Sequence, residues 1–177
     1  EFIKFAYEIS EKYDTPVILR TTTKLSHSQG IVKLSERIVP EDKVYEKDIK
    51  KYVMMPSSAV GRHVVVEARE KKIAKDASSF PINKVEYNDK KIGFITAGIP
   101  YQYVKEACPS ASILKLGIIN PLPADLIKDF AKNVEEIYVF EELEPVIEEQ
   151  VRALGIQVKG KEFFTRQGEY SANLLKS

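Results

Sequence analysis

Residues 91–109 read KIGFITAGIPYQYVKEACP, and the same grammar returns twice further along the chain. Ile92-Gly93-Phe94-Ile95-Thr96-Ala97 is an apolar run of strand length, Gly98-Ile99 turns, and Pro100 opens a helix that reaches Cys108. In ILKLGIINPLPADLIKDFAK (113–132), Ile113 to Leu116 is a second strand, Asn120-Pro121 turns, and Pro123 opens a helix to Lys132. In IYVFEELEPVIEEQVRA (137–153), Ile137 to Phe140 is a third strand and Pro145 opens a helix to Ala153. Ile156-Gln157-Val158 would make a fourth. Proline is tolerated in a first helical turn because the N–H it lacks has no intrahelical partner there. Alternating strands and helices with short turns predict an α/β fold, with a parallel sheet, right-handed crossovers and helices on its faces.

Upstream of this core the pattern loosens. Lys84 to Tyr87 reads as a short edge strand turned by Asn88-Asp89. Residues 58 to about 77 carry helical spacing, with Val60, Val64, Ala68 and Ala74 or Ala77 on one face, although Val64-Val65-Val66 is β-branched and favours a strand. Residues 33–56 mix charges with isolated apolar residues, as in Pro40-Glu41-Asp42-Lys43, and read as a linker. Glu1 to Tyr13 places Phe2, Phe5, Ala6, Ile9 and Tyr13 on one helical face, and Asp14-Thr15-Pro16 stops that helix. Val17-Ile18-Leu19 then reads as a strand buried on both sides. A lone helix and strand cannot shelter such faces, so the N-terminus reads as the end of another domain.

Composition limits the function. The chain has 177 residues, 44% of them apolar and 30% charged, with a net charge of +1. Interleaved charge gives no footprint for nucleic acid or a membrane surface. One cysteine, Cys108, makes no internal disulfide and no zinc site, which fits a reducing, cytoplasmic setting. No apolar run approaches the ~20 residues of a membrane-spanning helix.

In an open α/β sheet, ligands gather beyond the carboxyl ends of the strands. Those ends carry Thr96-Ala97-Gly98, Gly117-Ile118-Ile119-Asn120 and Glu141-Glu142. Gly98 alone is a tight turn rather than a phosphate-binding fingerprint. Glu141 and Glu142 point to opposite sides of an extended chain, which favours helix capping or a subunit contact over an acid/base pair. Cys108 before Pro109, with no paired histidine, reads as a structural thiol. His27 and His63 lack metal-pair spacing, so no metal site is expected. The segment from Arg20 to Gly30 is densest in polar function. Thr22, Thr23 and His27 are candidates to lie near a substrate, and a polar turn whose hydroxyls satisfy its own backbone is the competing reading.

The blocks LRTTTKLSHSQG, KYVMMPSSAVGRH, ITAGIPYQYVKEA, LKLGIINPLP, VFEELEPVIEEQV and GIQVKGKEFFTRQGEYSANLL together resemble, in order, the alpha subunits of indolepyruvate ferredoxin oxidoreductases. Lys24, Leu25 and Gln29 stand where that pattern has Arg, Val and Arg. The resemblance implies a thiamin-diphosphate enzyme that oxidatively decarboxylates aryl 2-oxoacids to acyl-coenzyme A and passes electrons to ferredoxin. It implies that residues 1–32 end a pyrimidine-binding domain and that 33–84 are a linker with one helix. Residues 85–160 would be a transketolase C-terminal-like domain, with 161–177 a connector onward. The activating glutamate is expected upstream, and the G-D-G magnesium-diphosphate motif and [4Fe-4S] cysteines downstream; this sequence has neither G-D-G nor C-x-x-C. The segment itself is then expected to be inactive alone, serving as scaffold and as a contact for a beta subunit or a second copy. Two alternatives are a stand-alone nucleotide or coenzyme A module, and a subunit acting on pyruvate or 2-oxoglutarate.

Overall fold

A computed structural model describes residues 2–40, 42 and 44–176; the readings at Glu1, Glu41, Lys43 and Ser177 lie outside the described residues. The chain divides into two units, Glu1–Ala68 and Arg69–Ser177. The first contains helices α1 (Phe2–Tyr13), α2 (Thr23–His27) and α3 (Ile49–Tyr52), and α4 (Pro56–Ala77) runs through the boundary. The second contains β1 (Lys84–Glu86), β2 (Asp89–Ala97), α5 (Pro100–Ala107), β3 (Ala111–Leu116), α6 (Ala124–Lys132), β4 (Glu136–Phe140) and α7 (Val146–Ala153). It closes with a 3-10 turn, Ala172–Leu175.

The three βα repeats form as the sequence leads one to expect. The sheet order is β1-β3-β2-β4, with β2 parallel to both neighbours and β1 antiparallel to β3 at the edge. Side chains alternate across a strand, and the core divides on that parity. Ile95, Leu114 and Val139 face Ile127, Phe130, Ile147 and Val151 of α6 and α7. Their sequence neighbours Phe94, Ile113 and Phe140 face Tyr101 and Val104 of α5, with Phe164 and Tyr170 beyond the last long helix. Each fully buried aliphatic or aromatic side chain contributes about 1.5–3 kcal/mol, so both faces stabilise the sheet. Residues 161–177, expected as a connector, thus also pack onto one face. Gly93 lets α6 approach closely: a Cβ there would lie 2.8 Å from Val134 Cγ2 and 3.0 Å from the Phe130 ring.

Three local expectations are corrected. Val17-Ile18-Leu19 forms no strand; the three are exposed, Ile18 at 92%. A strand needs a neighbour to take its N–H and C=O groups, and no described segment pairs with it. Ile156-Gln157-Val158 is likewise not a strand; the chain touches β4 one residue later, through a single parallel bridge between Tyr138 and Lys159. There Val139 N–H donates to Lys159 O at 2.8 Å and Lys159 N–H to Ile137 O at 2.9 Å. α4 is helical as read; of the expected face Ala77 is buried, together with Ile73, whereas Val60, Val64 and Ala68 are exposed. Its β-branched run gives apolarity without specifying a covered face.

The first unit is built from local signals. α1 buries Ile9 and Tyr13 of its expected face and half-buries Phe5 and Ala6. Asp14, at φ 51°, ends the helix in the left-handed conformation that short polar side chains tolerate, and Thr15 N–H closes back to Ser10 O at 3.2 Å. Asp14 also pairs with Lys51 at 2.8 Å.

Candidate functional site

The sheet's carboxyl edge contains a topological switch. β2 and β4 are neighbours, yet after β2 the chain enters α5 on one face, and after β4 it enters α7 on the other. Ligands of open α/β sheets collect where connections diverge in this way. Thr96, fully buried, ties the two strands together there by donating its hydroxyl hydrogen to Phe140 O at 2.7 Å. Gly98, at φ 66°, makes the sharp exit toward α5.

Glu141 leaves β4 and turns its carboxylate onto the start of α7. It accepts from Ile147 N–H at 2.9 Å and from Glu148 N–H at 2.9 Å, while only 8% exposed. The capping role expected for the Glu141-Glu142 pair is therefore found at Glu141. An anionic ligand would seek the same positive helix end, and the chain's own carboxylate already occupies it. Burial pushes the Glu141 carboxyl up from its ordinary range, against the two backbone N–H bonds and the nearby Lys161 charge. Glu142 points elsewhere and accepts from Tyr170 N–H at 2.9 Å.

Around Glu141 lies a polar network that sequence spacing did not reveal. Lys161 Nζ donates to the backbone oxygen of Glu141 and, at 2.9 Å, to Tyr170 Oη. Tyr170 donates in turn to Thr165 O at 2.5 Å. Glu148 accepts from Lys161 N–H at 2.9 Å and pairs with Arg152 at 2.9 Å. Burial lowers the Lys161 ammonium. Burial first, and then the Glu141, Glu142 and Glu148 charges, push the Tyr170 phenol up to about 12. No buried side-chain polar atom among the described residues lacks a hydrogen-bond partner. A fully satisfied network of this kind fixes the geometry of its members.

A second charged cluster ties β1 to α5. Tyr101 Oη donates to Glu86 at 2.5 Å and Lys105 Nζ at 2.7 Å. Lys105 first, then Tyr101, hold the Glu86 carboxyl below its usual range. Cys108 is half-buried at the end of α5, its thiol pushed up by burial. It borders a groove of about 600 Å³ lined largely by Phe94, Tyr138, Phe163, Phe164, Leu174 and Leu175.

Thr22, Thr23 and His27 lie together in the first unit, on and before α2, and all three are exposed. Thr22 is the N-cap, its hydroxyl oxygen accepting from Leu25 N–H at 3.3 Å. Ser26 Oγ donates to Thr22 O at 3.1 Å and Ser28 Oγ to Leu25 O at 2.8 Å. Among the described residues, no group of three or more His, Cys, Asp or Glu is arranged to hold a metal ion, and no helix is long and apolar enough to cross a membrane.

No protein-family model matches the chain. Curated proteins do, nearly from end to end. Indolepyruvate oxidoreductase subunit IorA of Pyrococcus horikoshii is 37% identical over 184 aligned positions that cover 94% of this chain. The chain is a relative of the IorA subunits. It spans about 28% of the length of the curated relatives it matches. IorA of Thermococcus kodakarensis is also 37% identical over 94% of the chain, and IorA of Methanothermobacter thermautotrophicus is 34% identical over 91%. A solved structure, the 2-oxoglutarate:ferredoxin oxidoreductase from Magnetococcus marinus with 2-oxoglutarate, coenzyme A and succinyl-CoA bound, shares the fold. Its TM-score is 0.54 at 15% identity, over 68% of this chain and 22% of that one. The mostly parallel α/β sheet agrees with the transketolase C-terminal-like class expected from the sequence.

Proposed function

We propose that this chain works as part of an alpha subunit that, with a beta subunit, oxidatively decarboxylates aryl 2-oxoacids such as indolepyruvate to acyl-coenzyme A and passes the electrons to ferredoxin. The carrying observation is the 37% identity to IorA across 94% of the chain. The second unit acts as scaffold and subunit contact: its polar network is spent internally, and its helix α7 is capped from within. Thr22, Thr23 and His27 lie near the substrate, and a second copy of the subunit is a further expected contact.

Such an enzyme draws on thiamin diphosphate with magnesium and on [4Fe-4S] clusters. The residues present do not fit those groups. A cluster takes four thiolates, whereas this chain has one cysteine. Magnesium-diphosphate sites use hard oxygen ligands, and the carboxylates at the switch point, Glu141 and Glu142, are engaged by backbone N–H groups. This chain alone is expected to be inactive.

The test is an assay of the complete subunit with its partner, following coenzyme A-dependent reduction of an electron acceptor. Indolepyruvate should give the highest kcat/KM, ahead of pyruvate and 2-oxoglutarate. Faster turnover of either smaller acid would overturn the aryl assignment, and no turnover of any 2-oxoacid would overturn the reaction class.

A further inference from the structure

The groove beside Cys108 has an apolar body and a charged mouth. It opens where β2 and β3 begin, about 20 Å along β2 from the switch point. Phe94 and Phe164 are buried, and the Tyr138 ring lies 5.5 Å from Phe94, 6.1 Å from Phe163 and 6.5 Å from Phe164, centroid to centroid. The Tyr138 hydroxyl is already engaged, donating to Glu136 at 3.1 Å. Pairing of β2 with β3 slips between Asp89 and Gly93, and an irregularity of this kind re-aims side chains. Lys91 thus shares the groove with Phe94, which strict alternation would put on the other face. Asp89 lines it too. One Asp89 carboxylate oxygen accepts from Lys91 N–H at 3.0 Å; the other, and the Lys91 ammonium, have no partner among the described residues.

We propose that this groove binds an aromatic α-amino acid, with the ring among Phe94, Tyr138 and Phe164, the ammonium on Asp89 and the carboxylate on Lys91. Its volume of about 600 Å³ lies in the range of small-molecule pockets, which are likewise apolar with a few placed polar groups. Ring against ring, and ring against the Cys108 sulfur, favours an aromatic occupant over an aliphatic one of equal area. The mouth chooses the head group. An aryl acid would set a second carboxylate against Asp89, and an aryl amine a second ammonium against Lys91, whereas a zwitterion pairs with both. None of these contacts depends on the reaction assigned above.

L-Phenylalanine and L-tryptophan, titrated into the 177-residue chain and followed by heteronuclear NMR, should shift the amide signals of Lys91, Cys108 and Ser110. The Kd should be about 0.1–1 mM, the strength a ligand of this size reaches in a half-open groove. Phenylalanine should also slow alkylation of Cys108, the chain's one cysteine, with the same concentration dependence. Phenylpropionate, which lacks the ammonium, and phenethylamine, which lacks the carboxylate, should each bind about three- to tenfold more weakly. The variants should cross. Lys91→Gln should weaken phenylalanine and leave phenethylamine unchanged. Asp89→Asn, which keeps the acceptor for Lys91 N–H, should weaken phenylalanine and leave phenylpropionate unchanged. Equal affinity for all three compounds would overturn the head-group assignment, and no saturation by about 10 mM would overturn the site. Protection of Cys108 that rises with protein concentration, in the absence of ligand, would place a second copy in the groove and overturn the amino-acid site as well.

Discussion

Replacing Glu141 with alanine strips the start of α7 of its acceptor. Ile147 N–H and Glu148 N–H are left without partners, in residues only 3% and 6% exposed. A buried donor stranded in this way costs about 1–3 kcal/mol. Removing the carboxylate also relieves the desolvation that raises its pKa, so the net loss should be about 2–4 kcal/mol. For a chain of this size each kcal/mol shifts the melting temperature by roughly 2–4 °C, which predicts a drop of about 4–16 °C. Glu141→Gln keeps an acceptor oxygen and carries no charge to desolvate, so it should cost under about 1 kcal/mol. The sign of the pH effect follows from linkage. The folded carboxyl holds its proton more tightly than the unfolded one. Stability from this group is therefore fullest below the unfolded value near 4.5 and falls as pH rises through the folded value. The parent should gain on Glu141→Gln as the solution is acidified from neutrality. Near-ultraviolet circular dichroism suits the measurement, because nine tyrosines and no tryptophan supply the signal. A Glu141→Ala protein melting within a degree of the parent, or a Glu141→Gln protein as weak as Glu141→Ala, would refute the capping argument.

Gly117→Ala should destabilise the fold by about 1–3 kcal/mol, because the new Cβ would lie 2.4 Å from Ile82 O, a backbone atom with little room to yield. Gly61→Ala, inside α4 with nothing within 4 Å, should instead stabilise by about 0.5–1 kcal/mol; a urea midpoint that rises for Gly117→Ala, or one that falls for Gly61→Ala, would contradict the corresponding prediction. Tyr170 should ionise near pH 12, so its contribution to stability, complete below pH 10, should be lost as pH climbs between the two. Difference spectroscopy of the parent against Tyr170→Phe reads that ionisation, and a Tyr170 signal complete by pH 10 would count against the buried network.

What could be read beforehand followed from locality. The strands β2, β3 and β4 announce themselves because each is an apolar run closed by a turn and then a proline, at Pro100, Pro123 and Pro145. Glu141 was legible as a cap for the same reason: it lies between a strand and a helix start only a few positions away. The Glu141–Lys161 and Glu142–Tyr170 contacts join residues 20 and 28 positions apart, and nothing in their spacing distinguishes them from solvated charges. Val17-Ile18-Leu19 failed as a strand because apolar β-branched sequence specifies a preference, whereas pairing requires a partner elsewhere in the chain. The same limit applies to Val60 and Val64, whose periodicity was correct and whose burial was not. At the candidate site the segment was chosen for its density of polar groups, and the hydrogen bonds add that the Thr22 hydroxyl is engaged in capping α2.

The two borders of the sheet bear on how the protein behaves in crowded solution. On one side β1 offers three residues, Lys84-Val85-Glu86, two of them charged; on the other, Lys159 takes up the Ile137 carbonyl and the Val139 N–H. Short, charged or occupied borders give a second molecule little to template on. The opposite holds for Val17-Ile18-Leu19, which is unpaired, exposed and without charge. Self-recognition leading to fibres should therefore nucleate in that tripeptide's neighbourhood while the folded sheet stays intact, and a lysine at Ile18 is the substitution that would quiet it.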